Sequence, residues 1–407
     1  MGTNVKDAVD DLFAANQFEP TPAAARARVA AVRPAAYART RNALDGDVTR
    51  LSPYLTHGLI TLPQVLAGVL QRGPLPVQHK LVYEFGWREY FHHVWWHEGD
   101  GIFESLHEGV LPDAVYAREL PEDIRQGATG VPVIDQAVRT LYATGYLHNH
   151  ARMWLASYVV HLRKVHWRAG ADWLYGHLLD GDLASNHLSW QWVAGTGSHK
   201  PYLFNAENVE RHAPAYWHSR GSVVDTSYEE LDRIAHSGKP VEAGKAAGKA
   251  AGKAAPVPEP PLSSVPPAGW CTAPDALAVR GREVQLVHPW NMAGLETPGV
   301  VRLAVIDSEF HRRWPWSASR WRFVATGLQA TSDIAWCGTA GDMVQALSAA
   351  RAVNGVHSPH LNAAFEALNL SAPAALLPWP QSRCGSFSQF WTRATKGMKQ
   401  AEELVRT

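Results

Sequence analysis

Leu178-Leu179-Asp180-Gly181-Asp182-Leu183-Ala184-Ser185-Asn186-His187-Leu188-Ser189-Trp190-Gln191-Trp192 gathers two carboxylates, an amide and two indoles around one glycine. So dense a mixture of acid, amide and aromatic residues predicts a polar pocket walled by indoles rather than a solvated loop. Upstream, Gly145-Tyr-Leu-His-Asn-His-Ala-Arg-Met153 opens a helix whose apolar residues Trp154, Leu155, Tyr158 and Val159 recur at helical spacing. His148 and Arg152 stand four apart on it and share a face. Arg152 is the natural partner for Asp180, because a guanidinium grips a carboxylate through paired hydrogen bonds and holds both rigidly.

Composition narrows the partners less than this stretch does. Lys+Arg and Asp+Glu are both 38, so global charge does not advertise a nucleic acid. Residues 1–233 carry 21 basic and 26 acidic side chains, a formal balance of −5 before 15 His are considered, so a polyanion there must find a local patch. Trp is the outlier at 17, nine of them before residue 233, where buried indoles suit either packing or electron transfer. Cys271, Cys337 and Cys384 are widely spaced and late, giving neither a disulfide framework nor a zinc pattern; buried thiols in a reducing cytosol are expected. The N-terminus lacks a basic-then-apolar signal and no apolar run is long enough to span a bilayer, so a soluble cytoplasmic protein with no membrane partner is expected.

Taken in order, residues 5–16 read as a short amphipathic helix, and Thr21-Pro22 as a capped helix start. Tyr37 sits at a helix end, and Asp45-Gly-Asp47 is a turn. Thr49 to Ser52 then offers two hydroxyls and several backbone N–H groups, which suit phosphate oxygens without steric bulk. Residues 77–97 form a helix that brings Glu84, Trp87 and Arg88 within about one turn. His93 and His97 are four apart on it, but no third ligand accompanies them and no metal is expected. Asp113 to Thr129 is a polar connector, after which helices run through residue 179 without a convincing strand. The first domain, residues 1–233, is therefore expected to be all-α.

Residues 234–280 change character, with Ala-Gly-Lys repeats at 243–255 and then Pro-Val-Pro-Glu-Pro-Pro, a mobile and then stiffer linker. Beyond it, Val284–His288, Arg302–Ile306 and Asp333–Cys337 read as buried strands, and Ser317–Ala330 and Gly341–Arg351 as helices. That alternation predicts a small α/β domain with a parallel sheet over 281–407, of which residues 281–391 are expected to fold independently. Pro315 between Trp314 and Trp316 reads as packing.

Five stretches in one order carry a resemblance: Thr49-Arg-Leu-Ser-Pro-Tyr-Leu55, Tyr83-Glu-Phe-Gly-Trp-Arg-Glu-Tyr90, Thr144-Gly-Tyr-Leu-His-Asn-His-Ala-Arg-Met153, Trp167-Arg-Ala-Gly170, and Leu179 to Asn186 with Trp190-Gln-Trp192. Over about residues 17–214 the chain resembles the flavin-binding domain of DNA photolyases and cryptochromes. The resemblance implies FAD, with Tyr37, Thr49, Leu51 and Ser52 on its phosphates and ribose. It implies Arg152, Asp180 and Asp182 beside the isoalloxazine and Asn186 facing N5, where an amide donates or accepts and so tolerates several flavin protonation states. Trp190 and Trp167 match the inner and middle members of an electron-transfer chain. The third falls near Ala114, where Tyr116 is the nearest aromatic substitute.

Glu84, Trp87, Asn149, Met153 and Trp192 match positions that hold a pyrimidine dimer. The expected function is light-driven splitting of such dimers in damaged DNA, as by a deoxyribodipyrimidine photolyase. The alternative is a cryptochrome-like blue-light receptor with a protein partner. Photolyases carry an α/β antenna domain before the flavin domain, whereas here the α/β part follows it, and no motif assigns it a second antenna chromophore. Three departures bear on DNA: His150 stands where repair enzymes commonly carry a phosphate-contacting Arg, Tyr146 replaces a frequent Trp, and the segment after Gly197 is short.

Overall fold

The computed structural model describes residues 18–242, 255–293 and 297–405; the expected helix at 5–16 and nearly all of the Ala-Gly-Lys run lie outside the described residues. The chain forms two compact units that do not follow its linear order. One holds Arg33–Val48 and Phe91–Pro260, the other Phe18–Val32, Thr49–Tyr90 and Pro261 onward. The 19-residue helix Lys80–Glu98 contributes residues through Tyr90 to the second and from Phe91 to the first.

The first unit is helical, as its sequence predicts. Helix α1, Pro132–Thr144, starts with Pro at its first position, where no N–H is needed, and stops at left-handed Gly145 (φ 65°). The buried Asp135 carboxylate fixes its approach, accepting from the Thr129 N–H and hydroxyl, 2.7 Å each. Helix α2, Asn149–Ser157, is capped by His148, whose Nδ1 accepts from the His150 N–H, and runs into a π-turn over Tyr158–Leu162. Helix α3, Trp167–His177, is capped by His166, and helix α4, Leu183–Ala194, by Asp182, whose carboxylate accepts from the Ser185 N–H at 2.8 Å. Trp154, Leu155, Val159, Trp167, Leu174 and Trp190 meet in one buried core. The Lys164 ammonium, buried at φ 53°, closes the C-terminal end of the helix Tyr228–Ala235 by donating to the carbonyls of His161, Ile234 and Ala235.

The second unit contains the parallel sheet that the sequence predicts. Strands β1 (Glu283–Val287), β2 (Val301–Asp307), β3 (Ile334–Gly338) and β4 (Ala352–Asn354) lie in the order β3-β2-β1-β4, all pairs parallel. β2 is buried along nearly its whole length, as a central parallel strand requires. Helices α5 (Ala318–Thr331) and α6 (Ala340–Leu347) connect the strands. Trp314 and Trp316 are buried, so their packing role stands.

Two expectations change here. The sheet has a core cluster of its own, from Val279 to Phe365, but its compact unit also includes the helices Pro22–Ala31, Ser52–Thr56 and Leu62–Leu70. And Cys271 and Cys337, expected as separate buried thiols, form a disulfide, because the Cys271 segment pairs with the edge of β3 through Cys337 N–H to Thr272 O at 2.8 Å. Cys384 is a buried free thiol, as expected. Among the described residues, no helix is long and apolar enough to cross a membrane.

Candidate functional site

In the helical unit, the loop before α4 and the head of α2 bring together the residues on which the sequence reading turned. Arg152 Nη2 donates to both oxygens of Asp180, at 2.9 and 2.7 Å. The pair engages a single guanidinium nitrogen rather than a fork, because Nε is committed to the Leu147 carbonyl at 2.9 Å. The Asp180 side chain is 2 % exposed, so the ion pair is made largely out of water. The Arg152 guanidinium also lies over the Tyr146 ring, 5.6 Å from its centre.

Asn186, on the first turn of α4, donates from Nδ2 to the Ala171 carbonyl at 2.8 Å, which fixes its amide plane and leaves its oxygen uncommitted among the described residues. Asp182 gives one oxygen to the Ser185 N–H and the other to His92 Nε2 at 3.1 Å. His92 is a neighbour that sequence reasoning missed; 90 residues separate the two, and no local pattern links them. Tyr37 lies on the helix Pro34–Thr40, and the carbonyl of Arg41 just beyond accepts from His148 Nε2 at 3.0 Å.

The aromatic residues of this unit meet through the backbone of α3 and through His166. The Trp190 ring packs on the backbone of Gly170, one turn beyond Trp167 on α3; a Cβ there would fall 2.3 Å from the indole. Trp167 is 2 % exposed and donates to Ser105 Oγ at 3.0 Å. Tyr116 does not stack on Trp167. Instead His166 lies between them, its ring 5.5 Å from Trp167 and 6.3 Å from Tyr116. Two backbone hydrogen bonds, Ala117 N–H to Lys164 O and His166 N–H to Ala117 O, each 2.8 Å, pin this connector in place. Burial raises the Tyr116 phenol above its ordinary range.

On the outer faces, Asn149 donates to Met153 Sδ at 3.4 Å, one turn apart on α2. Trp192 is 36 % exposed beside Tyr202. His150 lies between His148, Trp154 and His212, 5.1 Å from the last. Burial, then the neighbouring His212 and Arg41, push its pKa down to about 4. It is therefore neutral at physiological pH and does not replace the charge of an Arg.

The second unit holds the remaining carried-over residues. The Thr49 hydroxyl accepts from the Leu51 N–H at 3.4 Å, Arg50 adopts φ 51°, and Ser52 begins the helix Ser52–Thr56. Leu51 is buried and offers only its backbone. Glu84 and Trp87 are half-buried on Lys80–Glu98, and Trp87 stacks on Phe387. Glu89, another residue missed from sequence, is buried and accepts from the N–H groups of Leu376 and Leu377 and from Trp379 Nε1.

The Arg152–Asp180 pair and the oriented Asn186 amide thus lie on one helical unit, with Trp167 and Trp190 in its core. Residues 81–233 match the family described as the FAD binding domain of DNA photolyase. The deoxyribodipyrimidine photo-lyase of Streptomyces griseus is 36 % identical over 159 residues, which are 38 % of this chain and 34 % of that protein. A cryptochrome DASH of Idiomarina loihiensis is 31 % identical over 220 residues, 52 % of this chain and 47 % of that one. The crystal structure of a Synechocystis cryptochrome aligns over 55 % of this chain and 53 % of its own, with 25 % identity and a TM-score of 0.44. The chain thus spans between about a third and a half of these curated relatives.

Proposed function

We propose that this chain binds FAD and uses blue light to split cyclobutane pyrimidine dimers in DNA. The observation that carries the cofactor is the buried Arg152–Asp180 pair with Asn186 on the same helical unit. These residues fit a flavin edge: the carboxylate is already neutralised, and the amide keeps an oxygen for a ring nitrogen. When bound, the flavin supplies the light-driven electron, and the protein supplies position and electrostatics. Arg152 and Asp180 hold a fixed pair of charges beside the ring, and Asp182 with His92 locks the loop that presents Asn186. Trp190 and Trp167 would pass electrons inward to reduce an oxidised flavin, while the electron lent to the dimer comes back from the split product. Glu84, Trp87, Asn149, Met153 and Trp192 are the residues that would touch the lesion, the indoles by stacking on extruded bases.

A second reading, a cryptochrome-like receptor that recruits a protein partner, is favoured by one observation. His150 is neutral, so the head of α2 lacks the phosphate-neutralising charge on which DNA affinity largely rests. Along the chain, the proposal reads residues 1–233 as the flavin segment, 234–280 as a tether, and 281–407 as an α/β part in an unusual place. A second chromophore is a candidate occupant of that part, and a cytoplasmic setting is assumed throughout.

The test is a dimer-containing oligonucleotide under blue light with prereduced protein. Loss of dimers in the parent, reduced in Glu84→Ala and Trp87→Ala, is expected. A flavin-loaded parent that leaves every dimer intact would move the conclusion to the receptor.

A further inference from the structure

One face of the half-buried Trp87 is covered. Phe387, the first residue of helix α7 (Phe387–Ala394), lies parallel to it, with ring centroids 4.0 Å apart and planes 8° apart. Tyr83 and Tyr90 meet the same phenyl ring edge-on at 4.7 and 5.9 Å. The three rings of the Lys80–Glu98 helix thus form a slot for one flat ring, and Phe387 fills it. Parallel stacking at this spacing is also what a base makes on an aromatic platform.

The filler is built in rather than lodged by chance. Trp391, one turn further along α7, fits a notch at Gly86, where a Cβ would fall 2.5 Å from the indole, and its Nε1 donates to Gln78 Oε1 at 3.1 Å. Ser386 caps α7 by accepting from the Gln389 N–H. Both flanks are tied to the same part of the chain: Glu89 accepts from Leu376, Leu377 and Trp379 on one side. On the other, Val77 N–H donates to Lys399 O and Ala401 N–H to Leu75 O, at 3.0 and 2.8 Å. Phe387 is 4 % exposed and Trp391 5 %, so α7 buries its aromatic face entirely against this slot and its surroundings.

We propose that Phe387 occupies the face of Trp87 that an extruded base takes, so that α7 is an autoinhibitory plug and lesion binding requires its displacement. This rests on the reading of Trp87 as a lesion-stacking residue. Release then proceeds by competition: a stacked base replaces a stacked phenyl ring, while the anchors at Glu89 and at Leu75–Val77 keep the displaced helix tethered and able to return.

The experiment compares the full-length parent with Phe387→Ala and Phe387→Leu, the latter keeping apolar bulk without a flat ring. Binding to an oligonucleotide with one cyclobutane dimer, and to its undamaged twin, is measured in the dark by fluorescence anisotropy. Circular dichroism and flavin content check the fold. Both variants are expected to bind the damaged strand at least about tenfold more tightly than the parent, the low end for recovering one base stack, with undamaged binding unchanged. Hydrogen exchange in α7 of the parent is expected to rise when damaged DNA is added. Equal lesion affinity in parent and variants, with α7 still protected in the complex, overturns the plug and leaves the repair reading intact. No lesion preference in the variants or the parent overturns both.

Discussion

Trp190 rests on Gly170 so closely that no other residue fits at 170: an added Cβ would lie 2.3 Å from Cη2 and Cζ3 of the indole. The contact packs α4 on α3, with Trp190 against Gly170, one turn beyond Trp167. Gly170→Ala is therefore expected to push the Trp190 ring away and to destabilise the helical unit by about 1–3 kcal/mol, the usual cost of overpacking. Urea denaturation reads the loss, and near-ultraviolet circular dichroism reads the displaced indole. An unchanged spectrum with unchanged stability would show that the packing is looser than these distances.

Arg152→Ala removes the guanidinium from which both oxygens of the buried Asp180 carboxylate accept. Removing one member of a buried pair costs more than the pair contributes, and a loss of about 3–5 kcal/mol is expected, with flavin lost on purification. Adding Asp180→Asn to the same variant removes the buried negative charge and should restore part of the stability but not the cofactor. Full flavin occupancy in Arg152→Ala, with an unchanged absorption spectrum, would remove the pair from the cofactor edge.

The order Trp190, Trp167, His166, Tyr116 makes a separate prediction for photoreduction. Trp190→Phe should abolish it while chemical reduction by dithionite persists. Tyr116→Phe should leave the first flash-induced indole signal and remove a later tyrosyl signal in electron paramagnetic resonance. His166→Asn keeps a side chain able to cap α3 and removes the ring between Trp167 and Tyr116, so the tyrosyl signal should appear more slowly than in the parent. A parent that photoreduces without any tyrosyl signal would place the outlet elsewhere.

How far the sequence reached follows from what each feature depends on. β1 and β2 were legible because central parallel strands need apolar runs, and β3, at the sheet edge, from its apolar Ile334-Ala-Trp-Cys337; β4 was not, since three residues ending in Asn354 carry no such pattern. The Arg152–Asp180 pair was legible from complementary charges in two recognisable stretches. The His92–Asp182 bond, Glu89 with Trp379, and Trp87 with Phe387 were not, because each joins segments that meet only after folding. The Cys271–Cys337 bridge belongs with these: spacing along the chain says nothing about two thiols that face each other across a sheet edge. His166 illustrates a middle case, visible as a neighbour of Trp167 but not as a neighbour of Tyr116.

Acidification provides a test that needs no cofactor. Burial holds the imidazoles of His161 and His288 down at about 4 and that of His311 at about 3. These groups are neutral in the folded chain, while the unfolded chain takes up their protons near pH 6.5. Their contribution is therefore fully present above about pH 6.5 and is lost as pH falls toward about 4, at about 1.4 kcal/mol per pH unit for each. Urea midpoints at pH 7, 6 and 5 should fall in sequence. His161→Gln keeps a donor for the Val193 carbonyl, which His161 Nε2 contacts at 2.8 Å, and should flatten the slope. An identical slope in that variant would assign the acid sensitivity to other groups.

The last prediction concerns the sheet taken alone. Strand and helix alternation over residues 281–391 suggests a module that folds by itself, yet the chain between β1 and β2 is held by earlier residues. Met292 N–H donates to His57 O and Ala293 N–H to Gly58 O, at 3.0 and 3.1 Å, and His57 Nδ1 lies 2.5 Å from the Pro289 carbonyl. Gly58 adopts φ 58° with the Trp290 carbonyl only 2.5 Å from any added Cβ, so the approach is backbone on backbone. Phe323 of α5 packs on Tyr54 and His57, and Gly327 admits the Met292 methyl group beside Pro20. A fragment of residues 281–391 leaves those aromatic faces in water and those peptide groups without partners, losses that a small sheet cannot offset. It is expected to aggregate or to show a disordered circular-dichroism spectrum. A second fragment of residues 261–407, co-expressed with residues 18–90, should recover a folded complex. A cooperative thermal transition in the isolated 281–391 fragment would show instead that the sheet closes its core without the N-terminal helices.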